Sequence, residues 1–248
     1  MLLKVPLDIV PPEDLSDIIF QLLPNHGNSA EAVPGKGRDI VLLSLRDLLR
    51  ARRNGEYRNF VLNAALVIPI SKSLVSGARF LTGKKVVRYM PFNFVISLLT
   101  LLEKWEDSIY LFGGKSHILR KAEKNIRSTF PRLGIIGRCA GYVRKHEEPG
   151  IIEAIRKTSP SLLLAGKGVR GEELWIARNG KRLNTGLRLW CSDLFDVFAE
   201  KKRRPSDAVF ENGLEGIGFF FRNPFRLFRI FSYFRYKILL LVYRILKR

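Results

Sequence analysis

Apolar runs of strand length recur along this chain, and several stop at a glycine. Asp39 to Ser44, Leu66 to Ile70, Leu187 to Trp190, and three runs inside Tyr110–Trp175 have this form. Within that central stretch, Tyr110-Leu111-Phe112 ends at Gly113-Gly114, Leu133-Gly134-Ile135-Ile136 at Gly137, and Leu162-Leu163-Leu164-Ala165 at Gly166. Two segments of helical pattern separate the three runs. Apolar strands alternating with helices predict βαβ units and a parallel sheet. Ligands of such sheets bind at the carboxyl ends of the strands, where glycine lets the backbone turn sharply or approach a ligand closely. Gly113, Gly114, Gly137 and Gly166 are therefore site candidates, with tight strand-to-helix turns as the plainer reading of the same spacing.

Helices are predicted on either side. Pro11-Pro12-Glu13-Asp14 precedes Leu15–Leu23, and prolines followed by acids mark a helix start. Arg46 to Arg53 reads as a basic helix, and residues 93–106 as a mostly buried one. Asn25 to Arg38, rich in Gly, Asn, Ser and Pro, reads as a loop. Between Ile70 and Met90 stand Lys72, Arg79, Lys84, Lys85 and Arg88 with no acid. They form a solvated face or line an anionic ligand site; the pattern leaves both open.

The carboxyl end has its own pattern. From Gly216 to Arg248 there is no acidic residue, and aromatic side chains alternate with arginines. Asn223-Pro224 is a helix start, Asn as cap and Pro in the first turn. On a helical projection most of the basic residues share a sector of roughly 100° and the rest of the surface is apolar. Such a segment suits an anionic membrane interface. A terminal helix docked on the core and a base-stacking nucleic-acid element are the rivals. The breadth of the apolar sector favours lipid, so no nucleic-acid partner is expected.

Charge narrows the classes. The 248 residues carry a formal net charge of +20, which implies an anionic partner. Gly114-Lys115-Ser116 imitates the end of a phosphate loop, but that motif needs a glycine five residues before Gly114, where the chain has Ile109. Cys139 and Cys191 lack metal-type spacing, and His26, His117 and His146 are scattered, so neither a metal site nor a cofactor is expected. No secretory signal and no membrane-spanning apolar run is expected either.

Several further motifs stand in order along the chain: Gly113-Gly114-Lys115, Gly141-Tyr142, Gly166-Lys167-Gly168 and Glu172-Glu173. They continue through Trp175-Ile176-Ala177-Arg178, Phe195-Asp196, Lys201 to Arg204, Gly213-Leu214-Glu215, and Pro224 with Arg226. Together, across nearly the whole chain, these motifs resemble the WecG/TagA/CpsF bacterial glycosyltransferases. The resemblance implies a Rossmann-like α/β sheet with flanking helices over residues 1–215, and a basic amphipathic helical appendage over residues 216–248. It implies transfer of a hexose or N-acetylhexosamine, N-acetylmannosamine-like, from a UDP-sugar donor to a polyprenyl-diphosphate-linked acceptor in cell-surface polysaccharide synthesis. The implied location is the inner face of the cell membrane, peripherally held through residues 223–248, with self-association as a further implication.

The resemblance assigns Gly113, Gly114, Gly141, Tyr142, Gly166 and Glu173 to the nucleotide sugar. Arg204, Arg222, Arg226 and Arg229 are assigned to the acceptor and leaving diphosphates. The chain also departs from the pattern. The family's proposed general base, an Asp, falls on Ile70, its Thr-x-Asn on Leu42-Leu43-Ser44, and the Gln of its Gln-Glu on Glu172. A transfer with inversion needs a proton acceptor, and Asp193 and Asp196 are the candidates. A member that keeps the fold and has lost the chemistry, acting as a membrane-associated binding or scaffold protein, is the alternative.

Overall fold

The computed structural model describes residues 1–24, 26, 38–213 and 228–246. Six strands, β1 (Asp39–Leu43), β2 (Leu66–Pro69), β3 (Ser108–Phe112), β4 (Gly134–Cys139), β5 (Leu162–Ala165) and β6 (Leu187–Trp190), form one sheet in the order β2-β1-β6-β5-β3-β4. Every pairing is parallel. This is the α/β Rossmann-like architecture the periodicity and the resemblance led one to expect.

Side-chain alternation sorts the two faces. Ile40, Leu66, Ile68, Ile109, Leu111, Leu162 and Leu164 point to one layer. That layer is built by α1 (Leu15–Leu22), α5 (Pro91–Lys104), α6 (Ser116–Thr129) and α9 (Leu194–Phe198). Val41, Leu43 and Val67 point the other way, against α2 (Leu45–Ala51), α3 (Glu56–Leu62) and α4 (Lys72–Thr82). Tyr110, Phe112, Leu163 and Ala165 meet α7 (Glu148–Thr158) and α8 (Glu173–Asn179) on that same side. Burial on both faces explains why these strands read as unbroken apolar runs. Only β4, at an edge, shows exposed positions such as Ile136.

Two polar anchors lie at the amino ends of the strands. Arg188 of β6 is buried and forks onto Asp39 of β1, Nε to Oδ1 at 2.7 Å and Nη2 to Oδ2 at 3.2 Å, while Nη1 donates to the Gly180 carbonyl. His26 Nε2 lies 2.8 Å from Asp107 Oδ2, and Ser161 donates to Oδ1 of the same carboxylate at 2.6 Å. The histidine therefore has a structural partner.

The last helix, α11 (Phe228–Leu246), docks. Tyr236 (0% exposed) and Leu240 (3%) enter the cluster around α2 and α4, and the Tyr236 hydroxyl donates to the Ser73 carbonyl at 2.8 Å. Gly77, in the middle of α4, makes room: a Cβ there would lie 1.8 Å from the Tyr236 oxygen. The opposite stripe of α11 stays open, with Phe231, Phe234, Ile238, Leu241 and Ile245 all exposed. The reading that one docking face cannot cover this helix holds, yet the docking that was its rival occurs as well. The expected cap Asn223-Pro224 lies outside the described residues. No helix among the described residues is long and apolar enough to cross a membrane.

Candidate active site

A cavity of about 1140 Å³ opens at the carboxyl ends of β1, β2 and β6. β1 leads into α2 on one face of the sheet and its neighbour β6 into α9 on the other. Adjacent parallel strands whose outgoing chains part in this way leave a crevice between them. Ser44 caps α2 at the end of β1, its hydroxyl accepting from the Asp47 N–H at 3.3 Å. Ser71 precedes α4 at the end of β2 and accepts from the Leu45 N–H at 3.2 Å.

The walls are basic. Among the described lining residues, eight arginines and lysines face four carboxylates, Asp47, Glu172, Glu173 and Asp193. The cations come from α2 (Arg46, Arg50), the start of α4 (Lys72), Arg88, the run Lys202–Arg204, and Lys237 of α11. Lys72 donates to the Asn212 carbonyl at 3.3 Å. Arg88 donates to the carbonyls of Ile70 and Phe210 and lies over the Phe210 ring, so α10 (Asp207–Glu211) is tied to one rim. Of the five basic residues between Ile70 and Met90, Lys72 and Arg88 line the cavity, while Arg79, Lys84 and Lys85 are solvated. The segment is therefore divided between a solvated face and a cavity wall.

Three of the carboxylates are engaged. Asp47 accepts from the Ser44 N–H at 3.2 Å and its hydroxyl at 2.5 Å. Glu173 accepts from Arg50 at 2.5 Å, and burial raises its carboxyl above the usual range, while Arg50 works against that rise. Asp193 pairs with Lys202. Burial pushes the Cys191 thiol up to about 12, which keeps it neutral and a poor nucleophile. Among the described residues no three His, Cys, Asp or Glu side chains are grouped as a cation site would require.

Glu173, Asp193 and Arg204 thus gather in one cavity, where Arg204 donates to Asn93 at 3.0 Å. Asp196 lies off it on α9, its backbone carbonyl accepting from the N–H groups of Lys201 and Lys202. Arg222 and Arg226 lie outside the described residues, and Arg229 is placed only as part of the α11 backbone.

Gly113, Gly114, Gly141 and Gly166 lie beside the cavity and weave the loops of β3, β4 and β5 together. Gly113 N–H donates to Cys139, Gly114 to Lys167, Gly141 to Gly114 and Gly166 to Phe112. Tyr142, at φ +61° and exposed, covers Gly168. The weave reaches the cavity through Lys167, whose N–H donates to the Ser192 carbonyl. Gly113 takes φ +129°, and a Cβ there would meet the Gly166 carbonyl oxygen at 2.7 Å. Gly113→Ala should therefore cost at least about 2 kcal/mol, as strain of this kind does, read as a lower melting temperature.

The sequence also underplayed some contributors. Arg46 and Arg50 were visible only as a basic helix, and α10 and Lys237 reach the cavity through tertiary packing. An isolated glycine inside a helical pattern, here Gly77, was the available signal that another element comes close.

A parallel α/β sheet with a cation-lined cavity at its strand ends has the charge that suits anionic ligands. The model of the glycosyl transferase WecG/TagA/CpsF family matches residues 2–248, and the chain belongs to that family. An N-acetylglucosaminyldiphosphoundecaprenol N-acetyl-beta-D-mannosaminyltransferase of Bacillus spizizenii is 21% identical over 201 residues, covering 81% of this chain and 77% of the relative. The Bacillus subtilis protein of the same name is 21% identical over 191 residues, covering 77% and 74%.

Proposed function

We propose that this chain transfers an N-acetylhexosamine, N-acetylmannosamine-like, from a UDP-sugar to a polyprenyl-diphosphate-linked acceptor at the cytoplasmic face of the membrane. The observation that carries this reading is the cavity of about 1140 Å³ at the strand ends, with twice as many cations as carboxylates among its described lining residues. Donor and acceptor each carry a diphosphate, and arginine's planar fork suits phosphate oxygens. Negative charge builds on the departing UDP in the transition state, so fixed cations there favour the reaction more than they favour ground-state binding. The names of the two relatives support the sugar and the lipid carrier. Lys237 brings α11 to the cavity rim while the exposed stripe of α11 faces away from its dock. One helix thereby suits both lipid contact and the lipid-linked acceptor.

Calorimetric titration with UDP and a panel of UDP-sugars tests the donor half; micromolar binding is expected. Arg46, exposed at the start of α2, has no carboxylate partner among the described residues, so Arg46→Ala should weaken UDP by about tenfold, or ~1.4 kcal/mol. Transfer is read as UDP release with anionic vesicles and lipid-linked acceptor. A protein that binds no UDP compound would instead be a non-catalytic relative.

A further inference from the structure

We propose that Glu172 is the proton acceptor of the transfer reaction; this rests on the reading of the cavity as a glycosyltransferase site. A hydroxyl nucleophile needs a base that is ionised, within reach and not already neutralised by a cation. Among the described residues, four carboxylates line the cavity. Asp47 is occupied by the cap of α2, Glu173 by Arg50 and Asp193 by Lys202. A nearby cation makes a carboxylate a weaker base. Glu172 alone of the four makes no side-chain hydrogen bond or ion pair among the described residues, and it is exposed. Ile70, on the same cavity, offers no titratable group.

The backbone supplies an independent observation. Glu172 adopts φ +54°, ψ −133°, a region that glycine tolerates and a side chain occupies at a cost. Its N–H donates to the Val169 carbonyl at 3.1 Å and its carbonyl accepts from the Trp175 N–H at 3.0 Å, so the conformation is held from both sides. The preceding Gly171 sits at φ +87°, so the turn already uses glycine at one position, and a carboxylate occupies the next. Strain of this sort persists where the surrounding structure holds it, and it clusters at active sites.

The step balances as follows. The acceptor hydroxyl oxygen bonds to the anomeric carbon, and the bond from that carbon to the diphosphate breaks, its electron pair leaving with UDP. The hydroxyl proton passes to the Glu172 carboxylate and then to water. With a positioned base contributing about 10²–10⁴-fold, Glu172→Gln should lower kcat by that factor. The calorimetric Kd for UDP should stay within threefold.

Glu172→Gly separates chemistry from structure. Glycine relieves the backbone, so this variant should melt no lower than wild type and yet be as slow as Glu172→Gln. A smaller loss of kcat in Glu172→Gln, or a change confined to KM, overturns the role of Glu172 and leaves the transferase reading intact. A wild-type protein that turns over no UDP-sugar overturns both.

Discussion

Arg188→Met should lose about 3–5 kcal/mol of stability, the usual cost of leaving one member of a buried pair without its partner. In a chain of this size that corresponds to roughly 6–20 °C in melting temperature. Arg188 and Asp39 face each other in the register of β1 and β6, and both are buried. Burial raises the Asp39 carboxyl above its ordinary value, and Arg188 opposes that rise by charge and by hydrogen bonds. Without the guanidinium the rise is unopposed. A carboxylate whose folded pKa is raised costs nothing while both states are protonated, below the unfolded value of about 3.9. Its penalty grows as pH climbs through the folded pKa. The gap between wild type and Arg188→Met should accordingly widen from pH 5 to pH 8 in denaturant titrations. Asp39→Val combined with Arg188→Met should recover most of the loss, because apolar groups of similar volume replace a buried pair nearly neutrally. A pH-independent gap below about 1 kcal/mol would show that the pair is not what joins these two strands.

This pair also shows how much was legible beforehand. Leu187-Arg188-Leu189-Trp190 reads as a strand despite its arginine, because the apolar positions beside it suffice. The partner that makes the arginine tolerable, Asp39, lies 149 residues away and is set by strand order. Five of the six strands were readable because burial on both faces writes an apolar run into the sequence, and β4, at the sheet edge, kept such a run although Ile136 is exposed. The location of the cavity was not. Glycines after β3, β4 and β5 suggested a ligand close to the backbone, but there the close approach is by neighbouring loops, so Gly113 meets Gly166 and Gly141 meets Lys167 and Gly168. A glycine marks room for a close approach and not what approaches. The cavity itself is written in cations spread from Arg46 to Lys237, and only the fold makes them neighbours. The last helix was legible as amphipathic; its division into a docked and an open apolar stripe needed Gly77, in another helix, to be seen against Tyr236.

Replacing Phe231, Phe234, Ile238, Leu241 and Ile245 of α11 together by serine should abolish flotation with anionic vesicles while leaving the melting temperature unchanged. These five positions recur along one line of the helix, and each is more than half exposed. Fully burying such a side chain contributes about 1.5–3 kcal/mol. Even at roughly 1 kcal/mol each for partial immersion, the five supply about 5 kcal/mol, a more than thousandfold change in partitioning. The docked side of α11 is untouched by these changes, since Tyr236 and Leu240 hold it to α4 and α2. Deleting the whole helix is the poorer experiment, because it would uncover the apolar surface around Leu74 and Gly77 and confound lipid binding with aggregation. Basic residues near an anionic surface add about 1 kcal/mol each, and that part is screened by salt. Wild-type binding should therefore weaken but persist at high salt, held by the apolar stripe. A serine variant that still floats at low salt through charge alone, and is released as salt rises, would assign the attachment to the basic residues. A variant that floats regardless of salt would remove α11 from the membrane interface altogether.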